Sequence, residues 1–311
     1  MVGWNRREFL GAALGAIGAT WAGSWTMGCA RKGQPFEWRF AICNEIMRDW
    51  PWEKQCTFAA EVGYQGIEIA PFTLAESVEE ILPAQRAEMR AVAERAGIQI
   101  VGLHWLLVSP KWLHFTTPDE DVRRRTWEYV GKLIDFCADL GGKVMVFGSP
   151  KQRNATGGLT REQATQNLIA GLRHLAPHAA RRQVQILVEP LDHTQTDVVN
   201  TLAEAVEVVK AVDHPAIQTM FDFHNTVDEK EPHEKLVRAH FGYIKHVHVQ
   251  EMDGAYMGAG TGVRDYVPTF RALKELGYSG WVSLEVFQFE PGPEKIARES
   301  LKTLRQIVAD I

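Results

Sequence analysis

The sequence predicts an α/β fold, namely a single (β/α)8 barrel that follows a separate N-terminal segment. From residue 36 onward, short apolar runs rich in β-branched residues alternate with longer stretches of helical periodicity. Eight such pairs fit between residues 36 and 311, a span close to the roughly 250 residues of a typical barrel of this kind. Several of the apolar runs end in an acidic residue or a histidine, and barrel enzymes carry their active sites at such strand ends.

The predicted strands and helices alternate strictly, and glycine or proline marks many of the boundaries. The predicted strands are 36–43, 66–70, 98–104, 143–148, 184–189, 217–222, 243–249 and 281–286. The predicted helices are 52–62, 83–96, 118–140, 161–181, 201–212, 232–240, 267–276 and 293–311. An open doubly wound sheet is the alternative, but it usually has a glycine-rich phosphate turn after the first strand. The sequence NEIM at that place is not such a turn.

Residues 1–30 are predicted to be an export signal that is separate from the fold. Arg6 and Arg7 precede a mildly hydrophobic stretch of small residues, which resembles a twin-arginine signal. An N-terminal membrane helix is the alternative, but the stretch is short and interrupted by glycine. The segment ends in TMGC, a weak match to a lipoprotein signal in which Cys29 would carry the lipid. We therefore expect export to the periplasm, with membrane contact only through this segment or a lipid on Cys29.

Charge and cysteine content narrow the range of partners. The formal net charge is -5 and the isoelectric point is about 6.1, so nucleic acid is not an expected partner. The four cysteines lack zinc-finger spacing and form no Cys-x-x-Cys pair. Cys43, Cys56 and Cys137 are expected to be small buried apolar residues.

The last four predicted strands end in Glu189, Asp222, His248 and Glu285, with no lysine or arginine among them. Strand ends converge at one end of a barrel, where three carboxylates without a cation would repel each other strongly. A divalent metal removes that conflict. Three oxygen ligands and one imidazole favour Mn²⁺ or Mg²⁺, and they also suit Co²⁺ or Zn²⁺.

Other polar residues at the predicted strand ends are candidates for binding a substrate. Each of them also has a structural explanation, such as a hydrogen-bonded rim histidine, a buried structural glutamate or a basic residue in a solvated loop. His246 has the same inward parity as His248 but lies one layer deeper, which favours a role in the core. Glu45 and Trp105 are candidates for the pocket wall. The substrate-binding candidates are Glu68, His104, Lys151, Arg153, His224 and Asn225.

Six stretches, GYQGIEI, ILVEP, MFDFHN, IKHVHVQ, GAGTGVRDY and GYSGWVSLEV, follow one another in the chain. In this order they resemble the xylose-isomerase-like barrel superfamily of sugar phosphate isomerases and epimerases. The resemblance implies that Glu189, Asp222, His248 and Glu285 bind one divalent metal. It also implies that Glu189 and Glu285 form the acid/base pair, which moves a proton on the carbon beside a carbonyl through a metal-stabilised enediolate.

Two positions depart from the ketose 3-epimerases of that superfamily. Asn225 stands where those enzymes have a substrate-binding histidine, and Gly254 stands where they have an arginine. The superfamily also includes hydroxypyruvate isomerases, inosose isomerases and dehydratases, and enzymes that act on 3-keto-glycosides. Together with the predicted export of the protein, these two departures favour a periplasmic sugar or glycoside derivative as the substrate over a simple ketose.

The expected activity is therefore that of a sugar isomerase or epimerase with a small carbohydrate substrate. A lyase or dehydratase that acts on a keto-sugar or a 3-keto-glycoside through the same metal site is the main alternative. A non-catalytic sugar-binding protein would have lost a ligand, and no loss is visible. An endonuclease-IV-like enzyme would need more histidines and a basic face. A homodimer or homotetramer is expected.

Overall fold

The computed structural model describes residues 36–260, 266–309 and 311. The predicted export signal, including Cys29, lies outside the described residues, as does part of the GAGTGVRDY stretch. From residue 36 onward the chain forms one compact unit with eight parallel strands in a closed barrel, paired in chain order. The predicted (β/α)8 barrel is confirmed. No helix in the described part of the chain is long and apolar enough to cross a membrane.

Each strand is followed by one α-helix, and most bounds lie within two residues of the predicted ones. The strands are β1 (Arg39–Cys43), β2 (Gly66–Ile69), β3 (Gln99–Leu103), β4 (Val144–Phe147), β5 (Gln185–Val188), β6 (Ile217–Asp222), β7 (Ile244–Val249) and β8 (Trp281–Leu284). The helices are α1 (Trp52–Val62), α2 (Pro83–Ala96), α3 (Glu120–Asp139), α4 (Arg161–Arg182), α5 (Leu202–Val212), α6 (His233–His240), α7 (Tyr266–Glu275) and α8 (Pro293–Ala309).

The helix ends follow from local sequence. Helix α2 ends at Gly97, which has a φ of 75° in the left-handed region that glycine adopts without strain. Helix α3 begins two residues later than predicted because the side chain of Asp119 accepts a hydrogen bond from the Val122 amide. In helix α4, Thr160 and Gln163 form a reciprocal capping box.

The parity of the strands divides the buried side chains into two sets. Residues of one parity pack against the helices and form the large core between the strands and the helices. Residues of the other parity point into the barrel, where an apolar layer forms from Ala41, Val101, Val144, Val146, Leu187 and Met220. Successive side chains alternate across a strand, so residues two positions beyond this layer also point inward. The polar strand ends therefore lie above the apolar layer, at the carboxyl end of the barrel.

Candidate metal centre and active site

The four predicted metal ligands come together at the carboxyl ends of β5 to β8. Glu189, Asp222, His248 and Glu285 each offer one ligand atom, and these atoms all lie within 4.8 Å of one another. All four side chains are buried. The ring of His248 faces Glu285, with Nδ1 3.0 Å from Oε2. The structure thus forms the cluster that the strand parity predicts.

The charges in this cluster fit a divalent cation. Burial, together with the charges of Glu285 and Asp222, raises the pKa of Glu189 well above its ordinary value. Burial and the charge of Glu285 raise the pKa of Asp222 to about 6. Raised pKa values mean that these carboxylates resist being charged together, and a central cation relieves that repulsion. Three carboxylates and one imidazole are also a ligand set that divalent metals accept.

Glu68 lies beneath the cluster and fixes the orientation of His248. Its Oε1 is 3.1 Å from His248 Nε2, and its Oε2 is 2.8 Å from His246 Nε2. Burial alone would raise the pKa of Glu68, but the two histidines outweigh burial and hold it well below the ordinary value. With Nε2 directed at Glu68, His248 has Nδ1 available as a ligand atom, as is usual when a carboxylate supports a metal-binding histidine.

The sequence predicts that Glu68 binds the substrate, and the structure places it outside the lining of the cavity in front of the cluster. The side chain is completely buried, and both carboxylate oxygens face histidines rather than the cavity. The partner His246 is also completely buried, as expected from its depth in the barrel.

A neutral hydrogen-bond donor contacts each of the two glutamates. Asn225 Nδ2 donates to Glu189 Oε1 at 3.2 Å and to Asp222 Oδ2 at 2.7 Å. Trp105 Nε1 donates to Glu285 Oε1 at 2.6 Å. These donors fix one oxygen of each glutamate without adding charge, while the other oxygen of Glu285 faces His248 Nδ1 within the cluster.

Gly148, directly after β4, makes room for the carboxylate of Glu189. A Cβ atom at this position would lie 2.2 Å from Glu189 Oε2, which is closer than any real contact. The glycine at the end of β4 is therefore part of the site, since a larger residue would displace the carboxylate.

A cavity of about 340 Å³ opens in front of the cluster, a size suited to a small ligand. Trp105 forms one wall, with ring centroids 6.0 Å from Phe72 and 6.2 Å from Phe287. Its φ of 51° is unusual for a bulky residue and is typical of strained backbone at functional sites. The residues that line the cavity include His104, Trp105, Lys111, Lys151, Glu189, Leu191, Gln195, Asn225, Glu285 and Phe287.

Three of the predicted substrate-binding residues line this cavity: His104, Lys151 and Asn225. Lys151 is exposed, whereas His104 is buried with Nε2 2.8 Å from Glu45 Oε2. Glu45 itself lies behind His104 rather than on the cavity wall.

Arg153 and His224 lie elsewhere. The guanidinium of Arg153 is completely buried and donates to the backbone carbonyls of Phe147 (2.9 Å) and Val199 (3.4 Å). Arg153, predicted to bind the substrate, thus lies outside the lining of the cavity, although its charge acts on Glu189. The half-buried ring of His224 has Nδ1 3.0 Å from the carbonyl of Met252, beside the cavity rather than in its lining.

Gln195 and Phe287 also line the cavity, although neither was predicted from the sequence. Gln195 follows Glu189 in the loop after β5, and its Nε2 donates to Asn225 Oδ1 at 2.6 Å. Phe287 follows Glu285 by two positions. The only sequence signal for either residue is that it lies close to Glu189 or Glu285 in the chain. Such proximity does not show which loop residues face the cavity.

Residues 56–307 match the xylose isomerase-like TIM barrel family, so the chain belongs to that family. A probable ketose 3-epimerase of Synechocystis is 27% identical over 263 residues, which cover 78% of this chain and 86% of the relative. An inosose dehydratase of Geobacillus thermodenitrificans is 25% identical over 185 residues, which cover 50% of this chain and 60% of the relative. A solved D-psicose 3-epimerase of Clostridium cellulolyticum, with D-tagatose, superposes with a TM-score of 0.75 at 19% identity, covering 87% of this chain and 98% of that chain. The relatives are thus mainly sugar epimerases, which are enzymes of the isomerase type.

Proposed function

We propose that this protein is a divalent-metal-dependent sugar epimerase or isomerase, which moves a proton on the carbon beside a carbonyl. One observation carries this proposal. Glu189 and Glu285 both belong to the four-residue ligand cluster, and both line the same cavity. They come from β5 and β8, which are not neighbours in the barrel, so the two carboxylates approach the cavity from different directions.

The two glutamates are the groups of this chain that move the proton. One carboxylate removes a proton from the carbon beside the carbonyl, and the other returns a proton to the same carbon or to its neighbour. Return from the opposite face inverts the carbon, as an epimerase requires. A divalent cation held by the cluster, with Mn²⁺ or Mg²⁺ preferred to Co²⁺ or Zn²⁺, supplies positive charge that polarises the carbonyl. Asn225 and Trp105 orient the two glutamates through their hydrogen bonds.

The cavity wall favours a polyhydroxylated keto-sugar or a glycoside derivative of one. The indole of Trp105 and the ring of Phe287 offer an apolar face to the C–H side of a sugar ring, while His104, Gln195 and Asn225 offer polar groups. The ketose 3-epimerase relative supports a ketose-like substrate. Asn225 and Gly254, which replace a histidine and an arginine of the ketose 3-epimerases, favour a derivative over a free ketose.

A lyase is the second candidate, because an inosose dehydratase is among the relatives. Both reactions begin with the same proton removal, and a lyase then expels a substituent from the neighbouring carbon. We further propose that the protein works in the periplasm after export through residues 1–30, with Cys29 as the site of a lipid anchor, and that it assembles as a homodimer or homotetramer.

The test is a substrate screen in D₂O with the full chain, first treated with a chelator and then loaded separately with Mn²⁺, Mg²⁺, Co²⁺ or Zn²⁺. Free ketoses and 3-keto-glucosides are incubated with each form and followed by NMR. An epimerase gives a diastereomer with deuterium on the inverted carbon, whereas a lyase gives an unsaturated product. If the metal-loaded protein binds the sugars but exchanges no carbon-bound hydrogen, the proposal is wrong and the protein is a sugar-binding protein.

A further inference from the structure

A second group of metal-ligating side chains lies beside the first, at the ends of β1 and β3. Cys43 is the last residue of β1, Glu45 lies in the short turn that follows, and His104 directly follows β3. These three side chains each offer one ligand atom, and the atoms all lie within 4.8 Å of one another. All three residues are at least 98% buried. None of the three belongs to the four-residue cluster of Glu189, although Cys43 also groups with Glu68 and with His248, a member of that cluster.

Two polar atoms of this group lack hydrogen bonds. Within the described residues, Glu45 Oε1 and His104 Nδ1 are buried without a hydrogen-bond partner. The nearest acidic oxygen to His104 Nδ1 is Glu68 Oε1 at 3.7 Å, which is too long for a hydrogen bond. Buried polar atoms without hydrogen-bond partners are rare in native proteins, and each one lowers the stability of the fold. A bound cation is one way to satisfy the orphaned oxygen and nitrogen together.

The donor atoms of this group also differ from those of the first cluster. Cys43, Glu45 and His104 offer one sulfur, one oxygen and one nitrogen, whereas the first cluster offers three oxygens and one nitrogen. A thiolate selects zinc-like ions over Mn²⁺ or Mg²⁺. Three protein ligands with a fourth position open are also a common arrangement for tetrahedral zinc.

We infer that Cys43, Glu45 and His104 form a second metal site, which takes a thiophilic divalent ion of the zinc class. This site goes beyond the proposed function, which uses only the first cluster. Binding exchanges the S–H bond of Cys43 for a metal–sulfur bond, and the thiol proton leaves to solvent. No electron is transferred in this step, because zinc stays divalent.

The position of the group allows an ion to reach it and links it to the first cluster. His104 lines the cavity, so an ion can approach from there. His104 Nε2 lies 4.0 Å from Glu285 Oε1, while His248 Nδ1 lies 3.0 Å from Glu285 Oε2. Glu285 therefore contacts a ligand from each group, and occupancy of one site is expected to change the affinity of the other.

The test counts metal ions in the full chain after chelator treatment and reconstitution. With Zn²⁺ or Co²⁺, we expect two equivalents per chain by elemental analysis, and with Mn²⁺ one equivalent. The cobalt form should also show thiolate-to-cobalt charge-transfer absorption in the near ultraviolet. Cys43→Ser should lose this absorption and one equivalent, whereas Asp222→Asn should lose the other equivalent and keep the absorption.

Cysteines elsewhere in the chain provide the controls. Cys56→Ser and Cys137→Ser each remove a buried thiol outside both groups, so both variants should keep the absorption and both equivalents. If Cys43→Ser does not fold by circular dichroism, Glu45→Gln is the substitute and should lower the zinc content by about one equivalent. A wild type that binds a single equivalent of zinc without cobalt–thiolate absorption overturns the inference. That result leaves the proposed function intact, because the equivalent lost in Asp222→Asn reports on the first cluster alone.

Discussion

The strand ends form two halves that differ in how buried charge is balanced. The late half lies at the ends of β5 to β8, and the early half lies at the ends of β1 to β3. On the side of β5 to β8, the carboxylates of Glu189, Asp222 and Glu285 share one imidazole. On the side of β1 to β3, Glu45 and Glu68 each lie within 2.8 Å of a histidine nitrogen. The late half therefore holds more carboxylates than histidines, although the buried guanidinium of Arg153 also acts on Glu189, whereas each glutamate of the early half has a histidine partner.

The pKa values of Asp222 and Glu68 differ in the same sense, whereas burial raises the pKa of Glu45 in the early half and the nearby His248 outweighs burial and lowers that of Glu285 in the late half. Burial and neighbouring carboxylates raise the pKa of Asp222 to about 6, while His246 and His248 outweigh the burial of Glu68 and lower its pKa. An excess of buried acid marks a site that requires a cation. The acids of the early half instead orient the histidines that they contact. This half binds a metal only if the Cys43 thiol loses its proton.

The largest expected effect is on turnover when a glutamate of the late half loses its charge. Under the proposed function, Glu189→Gln or Glu285→Gln removes both a metal ligand and a proton carrier, so turnover should fall by about 10²- to 10⁴-fold. Circular dichroism should show an intact fold. The exposed Glu80→Gln is the matched control and should keep the wild-type rate. A near-normal rate in either active-site variant would contradict the assigned roles.

The second prediction concerns the stability of the metal-free protein as a function of pH. The pKa of Asp222 is about 6 in the folded chain, against an ordinary 3.8, so the folded state favours the protonated form. The resulting stabilisation is complete below pH 3.8 and is lost as the pH rises through about 6. Its size is about 3 kcal/mol, at roughly 1.4 kcal/mol per pKa unit.

Urea unfolding of the chelator-treated protein at several pH values measures this loss. The free energy of unfolding should decrease from pH 4 to pH 7 in the wild type, by about 2 kcal/mol from this group, and less in Asp222→Asn. Added metal should reverse the decrease. The low pKa of Glu68 works in the opposite direction, because its stabilisation is lost only as the pH falls through that low value. Equal slopes in the wild type and Asp222→Asn would contradict the raised pKa of Asp222.

The third prediction tests whether the early half supports the late half. Glu68→Gln keeps the shape of the side chain but weakens its contact with His248 Nε2. Loss of such a supporting carboxylate typically costs about 10- to 100-fold in metal affinity. Competition with a chelating dye measures the affinity, and excess metal should restore most of the turnover. Glu79→Gln, at an exposed ion pair with Lys132, is the control and should leave the metal affinity unchanged.

The barrel and the four-residue cluster of the late half could be predicted because they depend on local sequence. Each residue of the cluster lies two positions beyond an inward-facing strand residue, as Glu189 does beyond Leu187, so strand parity alone directs it inward. The roles of Glu68 and Arg153 could not be predicted. Glu68 depends on His246, 178 residues away, and on a register shift between β2 and β3 beside Ile67. Arg153 depends on the carbonyl of Val199, 46 residues away.

The smallest expected effect is at Trp105, which joins the two halves because it follows β3 and donates to Glu285 of β8. Trp105→Phe keeps a ring between Phe72 and Phe287 but removes the indole N–H. The side chain is 36% exposed, so water can replace part of the lost hydrogen bond, and turnover should fall by about tenfold. Trp112→Phe, at an exposed indole that does not line the cavity, should leave turnover unchanged. If Trp105→Phe lowers turnover as much as Glu285→Gln, then the indole is required for more than the orientation of this carboxylate, and the early half takes a direct part in the reaction.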